Sequence, residues 1–190
     1  MISHFSSIDL KLAVNLTIAE QRDLHNLTDI ALPRKAIDPF SRPKVARIKV
    51  EIKRTLPQWN VLVRDSQGRI AVSVGILTRD IIVNGVLTLV GGVGRVMTET
   101  GEQAQSYAIA ALQYAVAFLN EAYNVAFVFM ICHSDLVPFY QRIGWQSFQG
   151  KLLVKRCRTT VPSTVHRPML LSTYQEIPQN GVIDLCGLPW

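Results

Sequence analysis

The segment from residue 99 to residue 108 carries the pattern best suited to chemistry. Glu99-Thr100-Gly101-Glu102 follows a strand, and a helix opens at Gln103-Ala104-Gln105-Ser106-Tyr107-Ala108. Small side chains at such a start leave the first backbone N–H groups uncovered, and those groups have no partner within the helix. Together with the positive end of the helix dipole they form a site for a phosphate or pyrophosphate. The same residues also suit a core helix with an ordinary N-cap, so the local pattern leaves both readings open. Upstream, Gly91, Gly92 and Gly94 fall within one strand, where glycines mark a bulge or the close approach of a ligand to the backbone. Cys132, Cys157 and Cys186 lie far apart, with neither the spacing of a metal site nor the even count of a disulfide framework. They read as reduced thiols of a cytosolic protein, and no metal is expected.

These residues need elements to hold them. Ile8, Leu10, Leu12 and Val14 alternate with Asp9, Lys11 and Ala13, the period of a half-buried strand. Thr17 and Glu20 have capping-box spacing, so a helix is expected over 17–32, stopped by Pro33. The proline-containing stretch 34–43 reads as a loop or broken helix, and 44–54 is helix or strand. Trp59–Arg64 reads as a strand, Asp65-Ser66-Gln67-Gly68 as a turn and Arg69–Arg79 as a second strand. Asn84-Gly85 is a hairpin signal leading into Val86–Thr98. The alanine-rich helix from Gln103 to Glu121 is apolar on nearly all sides, hence buried. Val125–Ile131 follows as a strand covered on both faces, then a short helix Ser134–Arg142 that Gly144 ends. Strands are expected at Trp145–Cys157 and Val182–Leu188, with an extended excursion over Thr159–Gln179.

The chain has 190 residues, is 48% hydrophobic and 18% charged, and carries 20 Lys+Arg against 14 Asp+Glu, a net +6. That composition builds a sizeable core and excludes a largely disordered chain. The basic balance suits an anionic small molecule or a nucleic acid. Lys44, Arg47, Lys49, Lys53 and Arg54 lack aromatic interleaving and read as a solvated face, so no nucleic acid is expected. The N-terminus lacks the pattern of a signal peptide, and no apolar run reaches the roughly 20 residues that span a bilayer. A cytoplasmic protein without a membrane segment is the expectation.

Gln103-x-x-Ser106-x-Ala108 resembles the pyrophosphate loop of the GNAT acetyltransferase superfamily, Q/R-x-x-G-x-G/A, with serine where glycine is usual. Pro138-Phe139-Tyr140-Gln141-Arg142-Ile143-Gly144-Trp145 is similar to the second family signature, F-Y-x-x-x-G-F/W. The likeness runs over residues 8–157. It implies an α/β fold: one domain over 1–190, a mixed central sheet flanked by helices, and the acyl-CoA site at the helix start after the Gly-rich strand. Residues 8–157 would be the core and 158–190 a C-terminal extension with a final strand. Gly144–Leu152 and the tail Gly181–Trp190 are similar to aminoglycoside 2'-N-acetyltransferases and their relatives, which end on an acidic strand and a tryptophan near the acceptor.

The resemblance implies the roles. Gln103, Ala104, Gln105, Ser106, Tyr107 and Ala108 would hold the pyrophosphate of acetyl-CoA. The Val96 N–H would receive the thioester oxygen, and Val96, Met97 and Thr98 would run beside the pantetheine arm as if it were an added strand. Tyr140, a phenol protonated at neutral pH, would return a proton to the departing thiolate. Relatives place a glutamate on the Gly-rich strand at the position of Gly94, so the base is open: Asp184, Glu99, His133 or the carboxylate of Trp190. Asp184 and Trp190 would also meet the acceptor. The activity implied is acetyl transfer to a primary amine of a small molecule, with an aminoglycoside-like acceptor as one option. A protein or peptide acceptor and an acyl-CoA-binding domain without catalysis are the rivals, and a homodimer is allowed.

Overall fold

The computed structural model describes residues 6–29, 54–99, 104–156, 159–163 and 167–190. The chain starts with β1 (Ser7–Leu12), which pairs antiparallel with a later strand. Helix α1 (Ile18–Asn26) opens on the capping box that Thr17 and Glu20 predict: Thr17 Oγ1 accepts the Glu20 N–H at 3.2 Å, and Glu20 Oε2 accepts the Thr17 N–H at 2.9 Å. The helix stops well before Pro33. Leu27 turns extended, and Thr28–Asp29 forms the short β2, so sheet pairing takes over from helix. The stretch expected as loop over 34–43, and all but Arg54 of that expected as helix or strand over 44–54, lie outside the described residues.

β3 (Trp59–Arg64) pairs with β1 and with β4 (Ile70–Val83). Between them Asp65 caps its own turn, accepting the N–H groups of Gln67 and Arg69 at 2.9 Å each. β4 and β5 (Val86–Thr98) form a long hairpin, turned at Asn84 (φ 50°) and Gly85 (φ 86°). Helix α2 (Ala104–Tyr123) then crosses the sheet, and β6 (Phe127–Cys132) runs parallel to β5. A 3₁₀ turn at Ser134–Leu136 leads into α3 (Val137–Arg142), and Gly144 (φ 94°) supplies the left-handed residue past its end.

The strand expected at Trp145–Cys157 is two strands with different partners: β7 (Gln146–Ser147) and β8 (Lys151–Arg156). The excursion expected over Thr159–Gln179 contains β9 (Thr159–Pro162) and β10 (Arg167–Ser172), and β10 lies between β7 and β6. β11 (Val182–Asp184) wedges between β4 and β8, antiparallel to the first and parallel to the second. β9, β10 and β11, all after residue 158, thus pair within the same sheet as the earlier strands.

Adjacent residues of β5 face opposite cores, as the pleat requires. A side chain at Gly91 would meet Leu119 of α2, whereas one at Gly92 would meet Trp190. On the α2 face, Ala108, Ala111, Leu112, Ala115 and Leu119 pack with Val61, Val72, Val93 and Met130. On the other face, Leu77, Phe129, Phe148, Leu152, Ile183, Leu185 and Trp190 form a second core. No helix among the described residues is long and apolar enough to cross a membrane.

Candidate active site

The β5–β6 ladder ends at Val93↔Met130, although β5 continues to Thr98 and β6 to Cys132. The two strands part there and leave a fork. On its other edge β5 pairs with β4, and between Gly75↔Gly94 and Ser73↔Met97 the single Val74 faces two residues, Arg95 and Val96. This is a β-bulge, and it explains why Arg95 adopts φ 50°, a left-handed conformation uncommon outside glycine. A bulge re-aims backbone groups, so Gly94, Arg95 and Val96 present an edge that no strand among those described pairs with on the fork side.

The expected pairing surface at Met97 and Thr98 is different. Thr28 and Asp29 of β2 pair with Thr98 and Met97. A strand has two edges and β4 already takes one, so β2 takes the edge assigned to the pantetheine arm. Among the described residues, the part of the fork-side edge of β5 without a strand partner is Gly94–Val96.

Helix α2 begins at Ala104, and its first-turn amides point back toward the loop. Gln105 and Ser106 are exposed there, whereas Tyr107 and Ala108 are buried in the α2 core. Gln103 lies outside the described residues. The side chains of Tyr107 and Ala108 are therefore committed to packing. Tyr140 on α3 is buried in that same core as Val96 and Tyr107, its ring 5.1 Å from Phe139 and 6.1 Å from Trp145. Cys132, at the end of β6, joins this cluster, and burial pushes its thiol pKa up to about 11.

The proposed acceptor residues part company. Trp190 is buried against β5: a Cβ at Gly92 would lie 2.6 Å from its indole, and one at Gly94 would lie 3.2 Å from it. Asp184 instead pairs with Ile82, seven residues along β4 from the Gly75 that faces Gly94, a span of about 23 Å of strand. Its Oδ1 accepts the Cys186 N–H at 2.9 Å, so it caps a turn. The structure does not bring Asp184 and Trp190 together: β11 docks at the hairpin end of β4, and only the tail beyond it returns to the fork. His133 is the N-cap of the 3₁₀ turn, its Nδ1 3.5 Å from Asp135. Glu99 donates its N–H to the Ala71 carbonyl at 2.8 Å.

Sequence reading missed the clamp on the tail. Arg79 of β4 donates from Nη1 to the Leu188 carbonyl at 2.7 Å and from Nη2 to Thr55 Oγ1 at 2.6 Å. The Thr55 N–H donates to the Pro189 carbonyl at 2.7 Å. Burial lowers the Arg79 pKa, a sign that this cation is partly taken out of water. A cation in the middle of a long, mostly apolar strand was the available signal. A narrow cleft lies beside the clamp, lined by Thr55, Pro57, Gly75, Leu77, Gly94, Arg95 and Trp190.

Residues 16–148, more than half of the chain, match the sequence model of the acetyltransferase (GNAT) domain. Solved structures of similar fold include an acetyltransferase from Streptococcus agalactiae 2603, with TM-score 0.53 and 12% identity over 89% of this chain and 100% of that one. An acyl-CoA N-acyltransferase from Pseudomonas aeruginosa aligns with TM-score 0.52 and 13% identity, over 87% of this chain and 99% of that one. ElaA of Escherichia coli aligns with TM-score 0.51 and 12% identity, again over 87% and 99%. At these identities the likeness is one of fold. No curated protein matches the sequence.

Proposed function

The chain belongs to the GNAT acetyltransferase family, and from that premise we propose that it moves an acetyl group from acetyl-CoA to a primary amine of a small molecule, with aminoglycoside-like polyamines as the first class to try. The observation that carries the reading is the fork: a bulged edge at Gly94–Val96, without a strand partner on the fork side among the described residues, beside the β5–β6 split and on the strand that leads to the start of α2. Acetyl-CoA supplies the activated thioester and a thiolate leaving group. The Val96 N–H would receive the thioester oxygen, where a fixed backbone dipole favours the charge that develops there. The first-turn amides of α2, with Gln105 and Ser106 exposed among them, would hold the pyrophosphate, joined by Gln103 and Ala104. Tyr140 would return a proton to the thiolate, its phenol being protonated at neutral pH.

Support for an aminoglycoside-like acceptor comes from the docked Trp190 and none from Asp184. With no side chain at Gly94 and Asp184 far along β4, an acceptor that binds as the neutral amine is the simplest fit. The same two facts favour a second reading, an acyl-CoA-binding domain without turnover. One experiment separates them. Acetyl-CoA should raise the melting temperature in a saturable way, and CoA release should be measured with kanamycin, spermidine and a lysine-containing peptide in turn. Stabilisation with turnover on an amine supports the enzyme, and stabilisation without turnover on any supports the binding domain. No stabilisation at millimolar acetyl-CoA overturns both.

A further inference from the structure

Trp190 stands where the fork closes. Gly92 and Phe129 are partners in the β5–β6 ladder, and Gly94 is the first residue of β5 beyond it. The indole touches the Gly92 and Gly94 positions and lies 5.4 Å, centroid to centroid, from the ring of Phe129. One side chain therefore spans both strands on one face at the point where they part. Two glycines make this possible, since a Cβ at Gly92 would sit 2.6, 2.7 and 2.9 Å from three ring atoms.

The ring is also held firmly. The Arg79 guanidinium lies over it, 4.8 Å from the centroid, while its two Nη groups bind Leu188 and Thr55. Thr55 in turn holds the Pro189 carbonyl. Among the described residues the indole Nε1–H has no hydrogen-bond partner. A phenyl ring would avoid that unpaired polar group, so what the position gains from tryptophan is size.

We infer that Trp190 is the stop that limits the acyl chain of the donor to a short one, an inference that rests on the acetyl-CoA reading above. An acyl group that enters the fork from the Val96 side passes Gly94 and then meets the indole, backed by Phe129 and clamped by Arg79. A single methylene in a fixed apolar pocket changes discrimination by about 10- to 200-fold. A chain two carbons longer than acetyl therefore should not be accepted while the ring is in place. Trp190 is thus a specificity-determining residue, and Arg79 a positioning residue that acts through it.

The test is calorimetric titration of CoA, acetyl-CoA, butyryl-CoA and hexanoyl-CoA into the wild-type chain and into Trp190→Ala, Trp190→Leu and Arg79→Ala. In the wild type, the Kd for butyryl-CoA should exceed that for acetyl-CoA by tenfold or more. In Trp190→Ala the two should come within about threefold, with hexanoyl-CoA now measurable. Trp190→Leu should fall between, and it serves as the decisive variant if Trp190→Ala does not fold. Arg79→Ala should relax the ratio in the same direction. A wild type that binds hexanoyl-CoA as tightly as acetyl-CoA, or a folded Trp190 variant with the wild-type ratio, overturns the inference. In either case binding of CoA leaves the functional reading standing, whereas failure of CoA and all its esters to bind overturns both. A purely structural Trp190 would lower the melting temperature and leave the ratio unmoved.

Discussion

Tyr140 is where packing and chemistry make different demands on one side chain. Its ring is 2% exposed, so phenylalanine can replace it with little change in packing. If the phenol delivers the proton, Tyr140→Phe should lower kcat by roughly 10²–10⁴ while leaving acetyl-CoA affinity near wild type. Unchanged turnover with an accepted amine would return Tyr140 to the core. Glu20 gives a second prediction at this scale. The hydrogen bond from Lys11 does most to hold its pKa down to about 2, against an ordinary 4.5, with the Thr17 N–H and hydroxyl helping and burial opposing. A carboxyl depressed in the folded state stabilises fully above its unfolded value, and that stability is lost as pH falls toward the folded value. The melting temperature should therefore decline from about pH 4.5 toward 2, and Glu20→Gln should flatten that limb of the curve. A limb identical in the two proteins would remove Glu20 from the account of acid stability.

Elements set which residues can be used as probes. Ala108 is fully buried, so a charge placed there tests folding and not ligand binding. Ser106 is exposed in the first turn of α2, and a carboxylate there opposes a bound pyrophosphate without entering the core. Ser106→Asp should abolish the stabilisation by acetyl-CoA while the ligand-free melting temperature stays within a few degrees. A retained shift would move the pyrophosphate away from α2. The hairpin of β4 and β5 makes a separate demand at Gly92. Alanine there must displace the indole, an overpacking that costs about 1–3 kcal/mol. Denaturant unfolding should show that loss in Gly92→Ala, and Gly92→Ala with Trp190→Ala should lose less than the two changes summed. Strict additivity would mean that the ring and the strand are not in contact.

At the scale of the molecule, the last strand and the tail tie distant parts together. β11 bridges β4 and β8, and the tail beyond it runs back to the fork, held by Arg79 and Thr55. Deleting Leu188-Pro189-Trp190 removes a buried aromatic from the second core and takes from the Arg79 cation its shorter carbonyl hydrogen bond, the one to Leu188. Loss of a buried tryptophan costs about 3–5 kcal/mol, which at this chain length is a fall in melting temperature of roughly 6–20 °C. A truncated chain that melts like the intact one would make the tail an ornament.

Local signals were enough for much of this protein. The Thr17/Glu20 capping box, the Asn84-Gly85 turn, the apolar run of β6 and the Gly144 helix end each act over a few residues, so their geometry follows from residue type alone. The spacing around Ser106 and Tyr140 pointed to the family in the same way. Sequence could not decide what β10 pairs with, because Arg167–Ser172 carries no periodicity of its own and gains strand structure from β6, 35 or more residues away. Nor could it separate Asp184 from Trp190. They stand six residues apart in the chain, yet β11 anchors one at the hairpin end of β4 while the clamp from Arg79 returns the other to the fork. Long-range pairing and burial fix that outcome, and both depend on where the whole sheet closes.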